Sequence, residues 1–351
     1  MNFNEDFKFV DAHVHFYDMQ HPTLYYGHWQ PNEDHPFLGA QTRVLGSRNY
    51  LAEDFIRDSQ PHGVTKAIHV QAAIGSKDPV EETKWLQEVY QNTGLPNAIV
   101  GHVDLRDSKA EAVIEHHLNY PNFKGVRDFS HGEYLIDDHF RRGYSLLEKF
   151  DLISSISAQW QDMENLADLA KTFPNTKIVL DHAGFPEERT TEYFNNWKTG
   201  MKKISDWPNI YCKISGLGMG DNRWTEDSIR PYVETCIELF GVDRSLFATN
   251  WPIDSLWSDY GSVVRAYRNI TGSFSQSEVA KLFRIMLKVS IRFNLYYRFQ
   301  IERTKSIGRC RAGINFYHGH PTNNRYQPDQ QPPPFFILVM QPPYANRQCW
   351  S

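Results

Sequence analysis

Cysteine is scarce in this sequence: four residues in 351, namely Cys212, Cys236, Cys310 and Cys349, none of them close to another. Such spacing offers no disulfide framework and points to a reducing compartment. Long apolar runs are missing as well, since none approaches the roughly 20 residues that span a bilayer. The opening Met1-Asn2-Phe3-Asn4-Glu5-Asp6 has no apolar stretch of the kind a signal peptide carries. A cytoplasmic protein is therefore expected. A basic surplus is also absent, for the net charge is −5, and that argues against a nucleic-acid-binding face. The expected partner is a small-molecule substrate, not a nucleic acid or a membrane, and no oligomeric state is assigned.

What the sequence has instead is alternation. Hydrophobic residues make up 40%, enough for a sizeable core, and they fall into short strand-like runs separated by helical ones. Strand signals lie at residues 7–10 running into the following motif, then at 64–72, 98–105, 123–129, 152–157, 177–182, 210–215 and 246–250. Helical patterns fall between them, among them 51–62, 78–92, 109–118, 160–173 and 191–204, and two more at 260–269 and 275–284 close the series. Eight such repeats predict an α/β fold closed into a (β/α)₈ barrel over residues 1–284. The competing fold, an open doubly wound sheet, would place a Gly-rich phosphate turn after its first strand. That position holds Ala12-His13-Val14-His15. The stretch 21–48 is long, aromatic and rich in Pro and Gly, as binding loops and lids often are.

Barrels of this kind work at the carboxyl ends of their strands. In Asp11-Ala12-His13-Val14-His15-Phe16, strand alternation puts His13 and His15 on one face. Two imidazoles aimed into one space suit a divalent metal or a polarised carbonyl. The plainer reading is one core histidine and one exposed. Other strand ends add Gln71, Arg127, His182 and Asn250, so that three histidines from strands one and six converge with polar groups.

These segments resemble the amidohydrolase superfamily, in its amidohydrolase-related branch of lactonases and decarboxylases. The resemblance rests on Asp11-Ala12-His13-Val14-His15-Phe16, Phe123-Lys124-Gly125-Val126-Arg127, Leu180-Asp181-His182-Ala183-Gly184-Phe185-Pro186, Lys213-Ile214-Ser215-Gly216-Leu217 and Ala248-Thr249-Asn250-Trp251-Pro252-Ile253-Asp254, and covers about residues 7–284. It implies a hydrolase that opens a lactone of a sugar acid or an aromatic acid. Non-oxidative decarboxylation of an aromatic acid, or small-ligand binding without catalysis, are the alternatives.

The sequence departs from that pattern where metal chemistry is concerned. Strand five ends without a histidine, Lys124 lies at the start of its strand, and Asn250 stands where most members place an aspartate. A neutral amide cannot take a proton from water. The expectation is thus one divalent cation, zinc by preference, on His13, His15 and His182, or no metal at all. Asp254 is the candidate base, although it could equally cap the following segment. Asp181 should face away from His182 by alternation and read as structural. Arg127 would orient a substrate acid, or be tied in a buried ion pair to Asp128 or Glu133. Trp160 would floor a substrate ring, or belong to the core. His21, His28 and His35 read as solvated.

Residues 285–351 follow other rules. They hold nine Lys/Arg against two Asp/Glu, which divides the chain's −5 into +7 there and −12 before it. Gln330-Gln331-Pro332-Pro333-Pro334 fits an unstructured tail. Barrels of the resembling family close with Leu-Phe-x-Asp-Asn-Ala, and a one-nucleotide shift can turn the codons of Arg284-Ile285-Met286-Leu287 into that ending. A low-complexity basic tail of frameshifted or unspliced origin is expected, with a Pro-rich interaction tail as the rival reading.

Overall fold

The computed structural model describes residues 7–130 and 133–284. The tail at 285–351, and with it the frameshift reading, lies outside the described residues. Eight strands form one sheet in chain order: β1 Phe9–Val14, β2 Val64–Val70, β3 Ala98–His102, β4 Phe123–Arg127, β5 Ile153–Ile156, β6 Ile178–Leu180, β7 Ile210–Ile214 and β8 Ser245–Phe247. Every neighbouring pair is parallel. Helices separate the strands, so each crossover returns the chain to the same edge. Just past β8, Val14 bridges Trp251 in parallel, Asn250 N donates to His13 O at 2.9 Å, and His15 N donates to Trp251 O at 2.8 Å. That seam joins the last strand to the first, and the sheet becomes a barrel.

Two apolar clusters follow from the two faces of the strands. Val10, Ala12, Ile68, Val70, Val100 and Val179 belong to a small cluster made almost wholly of strand residues, which fills the barrel. The larger cluster packs the outer strand faces against the helices. Helix Gln276–Arg284 closes the series by seating Phe283 against Phe9 and Phe247, with ring centroids 5.2 and 4.7 Å apart. Among the described residues no helix is long and apolar enough to cross a membrane.

The seam has its own anchor. Asp11 is fully buried and accepts hydrogen bonds from Thr249 N at 3.0 Å, Thr249 Oγ1 at 2.5 Å and Tyr260 Oη at 2.7 Å. Its place in the first motif is thereby explained. It binds strand one to the segment after strand eight and takes no part in the cavity.

Candidate active site

Plain alternation would send Val14, not the histidines, toward the barrel interior that Val10 and Ala12 occupy. The register against β2 slips between Asp11 and Val14, and such an irregularity re-aims side chains. His13 and His15 therefore turn inward together, with their Nε2 atoms 3.1 Å apart. Their tautomers follow from their outer partners. A carbonyl only accepts, so His15 Nδ1–H donates to Val70 O at 2.8 Å and leaves Nε2 as a lone pair. A lysine ammonium only donates, so Lys213 Nζ, 3.3 Å from His13 Nδ1, leaves the His13 proton on Nε2. Lys213, His13, His15 and Val70 thus form one directional chain. Burial holds both imidazoles neutral, well below the usual histidine range.

β6 ends at Leu180, two residues short of the expected strand end at His182. Asp181–Gly184 form a tight turn in which His182 and Ala183 have φ values of 54° and 53°. Alternation does not apply in such a turn, which overturns the expectation that Asp181 points away from His182. Both reach the same buried floor. Asp181 accepts from Lys213 Nζ at 2.7 Å and Ser155 Oγ at 2.9 Å, and lies 3.4 Å from Arg127 Nε and 3.7 Å from His13 Nδ1. Burial alone would raise its carboxyl, yet the charges of Lys213 and Arg127 outweigh burial and hold it well below the ordinary range. His182 meets Ser215 Oγ through Nδ1 at 2.9 Å, and burial brings it down to about 3.

The ion-pair partner of Arg127 is therefore Asp181, not Asp128 or Glu133. The guanidinium also donates to Ser157 Oγ at 3.0 Å and stacks 4.4 Å over the Phe129 ring. Sequence reasoning passed over Lys213, although a lysine inside the otherwise apolar run of β7 was a visible signal.

At β8 the chemistry differs. Asn250 has φ 59° and donates through Nδ2 to Asp254 Oδ2 at 2.7 Å. Burial raises Asp254 to about 7, against the hydrogen bonds from Asn250 and the Gly218 backbone. Asn250 lines the cavity; Asp254 stands behind it.

The cavity itself has a volume of about 450 Å³ and opens at the carboxyl ends of the strands. His15, His182, Arg127, Gln71 and Asn250 line it, and His13 lies just beneath. Gln71 is 1% exposed, and neither its Nε2 nor its Oε1 has a partner. It is held there by a buried strut: Glu82 accepts from Ala72 N and Ala73 N at 2.9 Å each and meets His69 Nε2 at 3.2 Å.

Trp160 does not line the cavity. It begins a short helical turn and packs partly buried on the core. The aromatic wall comes from the long loop instead, through Trp29 and Phe37. His28 and His35 are not solvated as expected; they line the cavity beside Phe129, His28 with its ring 4.5 Å from that phenyl. The backbone of Tyr17 pairs with that of Tyr50 in both directions, and this draws the loop across the barrel mouth.

The metal expectation fits in part. The 3.1 Å between the His13 and His15 nitrogens is close to the spacing of two ligands on one ion with bonds of about 2.0–2.1 Å. His182, however, lies tilted against His13 with ring centroids 4.5 Å apart. Among the described residues no group of three His, Cys, Asp or Glu side chains is arranged to hold a metal ion. The expected three-histidine centre is therefore not formed as it stands. To bind an ion, His13 would also have to move its proton to Nδ1, where it would face Lys213.

The chain matches the family described as Amidohydrolase over residues 10–284. It is 35% identical over 290 residues to the uncharacterised protein y4mH of Sinorhizobium fredii, covering 79% of this chain and 96% of that one. It is 27% identical to the L-fucono-1,5-lactonase of Burkholderia ambifaria, over 72% of this chain and 84% of the relative. A solved amidohydrolase structure from Burkholderia multivorans with bound zinc has the same fold, with a TM-score of 0.68 at 22% identity over 81% of this chain and 99% of that one. The extent of the family match, together with the inward His-x-His pair and the polar strand ends around one cavity, carries the conclusion: this chain belongs to the amidohydrolase family and is an enzyme of the hydrolase type.

Proposed function

We propose that the chain opens the lactone ring of a sugar acid by adding water to the ring carbonyl. One observation carries this reading: a buried carboxyl, Asp254, lies 2.7 Å behind the cavity-lining Asn250 amide, and burial raises it to about 7. A proton acceptor matched to neutral pH is what attack by water needs. The lactonase relative supports the same reaction class.

In this reading the carbonyl oxygen lies against His182 and Arg127, which polarise it. His15 and His13 form the floor beneath the carbonyl carbon. Asn250 orients the water through its amide oxygen while its Nδ2 fixes Asp254. Water adds to the carbonyl carbon as one of its protons passes to Asp254 through a bridging water beside Asn250, the ring C–O bond breaks, and the proton is returned to the leaving alkoxide. Arg127 serves the carbonyl, held by an Asp181 carboxylate that it shares with Lys213.

A divalent cation is supported by the His13–His15 nitrogen spacing and by the zinc-bound neighbour. When bound it would act as a Lewis acid on the carbonyl, with His13 and His15 holding it.

The test is lactone opening followed by proton release in a pH-stat, across a panel of sugar lactones, with His182→Ala as the variant. A loss of kcat of about 100-fold or more is expected. Unchanged turnover in the variant ends the proposal.

A further inference from the structure

Lactone hydrolysis turns an uncharged ring into a hydroxy acid, whose carboxyl ionises near pH 4 and is an anion at neutral pH. The cavity wall is strongly biased between those two species. Among the described residues that line it there is one guanidinium, Arg127, and no lysine, whereas three carboxylates face in: Asp128, Asp162 and Glu187. Arg127 shares the single Asp181 carboxylate with Lys213, at 3.4 and 2.7 Å. The three carboxylates are held by uncharged donors instead. Gln159 Nε2 donates to Glu187 at 2.5 Å, Gln159 N to Asp162 at 3.2 Å, and Leu105 N to Asp128 at 2.8 Å. The wall therefore carries more carboxylates than fixed cations.

Gln71 adds a demand for hydroxyl groups. Its amide offers one donor and one acceptor side by side in the cavity, both without partners and both buried. A sugar hydroxyl, which both donates and accepts, satisfies both, whereas an ester or carboxylate oxygen takes only the donor.

We propose that this cavity selects an uncharged, polyhydroxylated lactone and expels the hydroxy-acid anion made from it, with Glu187 and Asp162 as the expelling groups and Gln71 as the partner of a sugar hydroxyl. The proposal rests on the hydrolase reading for its product, but its electrostatic content stands on the wall alone. Charge placed at a binding site acts through differential affinity, and like-charge juxtaposition disfavours one of two otherwise similar ligands.

Calorimetry at low ionic strength tests it with two probes: a sugar lactam, an uncharged ring analogue that resists opening, and the corresponding open-chain aldonate. The wild-type chain should bind the lactam at least about tenfold more tightly than the aldonate. Glu187→Gln alone should raise the aldonate-to-lactam affinity ratio by about threefold, and Glu187→Gln with Asp162→Asn by about tenfold, with both gains shrinking as salt is added. Asp162 also accepts from the Gln159 backbone, so the single Glu187→Gln variant carries the test if the double variant folds poorly. Equal wild-type affinities for the two probes, or a ratio that neither variant moves, overturns the proposal. If the lactam is preferred but no lactone is opened, the selectivity stands and the hydrolase reading falls.

Discussion

On the β1, β6 and β7 side of the cavity floor, Asp181 meets Lys213 at 2.7 Å and Arg127 at 3.4 Å, and the imidazoles above it are neutral. On the β8 side, Asp254 has only neutral donors, Asn250 and the Gly218 backbone, and burial brings its carboxyl to about 7. Two carboxylates of equal burial have thus been driven in opposite directions. Charged neighbours drive Asp181 down; their absence leaves desolvation in command at Asp254. The first group is a fixed anion that organises its surroundings, and the second is the one that changes protonation where a neutral-pH enzyme needs it.

The largest expected effect comes from breaking the fixed side. Asp181→Asn leaves Lys213 and Arg127 buried without their counter-charge and should cost about 3–5 kcal/mol of folding stability, read from chemical denaturation. Adding Lys213→Met should restore part of that loss. A stable Asp181→Asn variant would show that the network is not the anchor described above.

Next in size is the titrating side. Asp254→Asn should lower kcat for lactone opening by about 10²–10⁴ while the fold persists. In the unaltered chain kcat/KM should rise with pH through about 7, because the base works only when deprotonated. Asn250→Asp on the Asp254→Asn background puts a carboxylate back on the cavity itself, at a left-handed position that aspartate tolerates. It should recover part of the lost rate and move the rising limb of the pH profile. No recovery would mean that strand eight does not supply the base.

Gln71→Leu should raise KM for a hydroxylated lactone by about tenfold or more with little change in melting temperature, since it removes a donor and an acceptor that no protein group uses. The smallest effect on stability is expected from metal removal, whose cost would fall on lactone opening. The Lys213–His13–His15–Val70 chain closes without an ion, so exhaustive chelation should shift the melting temperature by less than about 2 °C in scanning calorimetry.

The barrel was legible because its strands repeat with short apolar runs and its helices with amphipathic ones. The pairing of His13 with His15 was legible too, although the register slip that turns them inward was not. The direction of Asp181, though not its structural role, was misread for a physical reason: period-two alternation assumes the strand continues, and here the chain turns left-handed at His182. Lys213 was overlooked because a lysine in a strand ordinarily faces water, and only the fold brings it to Asp181. Trp160 and the loop histidines exchanged roles because loop partners are set by tertiary closure at Tyr17 and Tyr50, which no local pattern encodes.

One consequence of the Asp11 anchor concerns how this protein should fail. The joint it makes with Thr249 and Tyr260 lies one residue from Asn250 on one side and two from His13 on the other. Any warming that loosens this joint shifts the reactive groups at the same moment as it uncouples the first strand from the last. Heat inactivation and global melting should therefore be a single event, with no temperature at which an intact cylinder has lost its turnover.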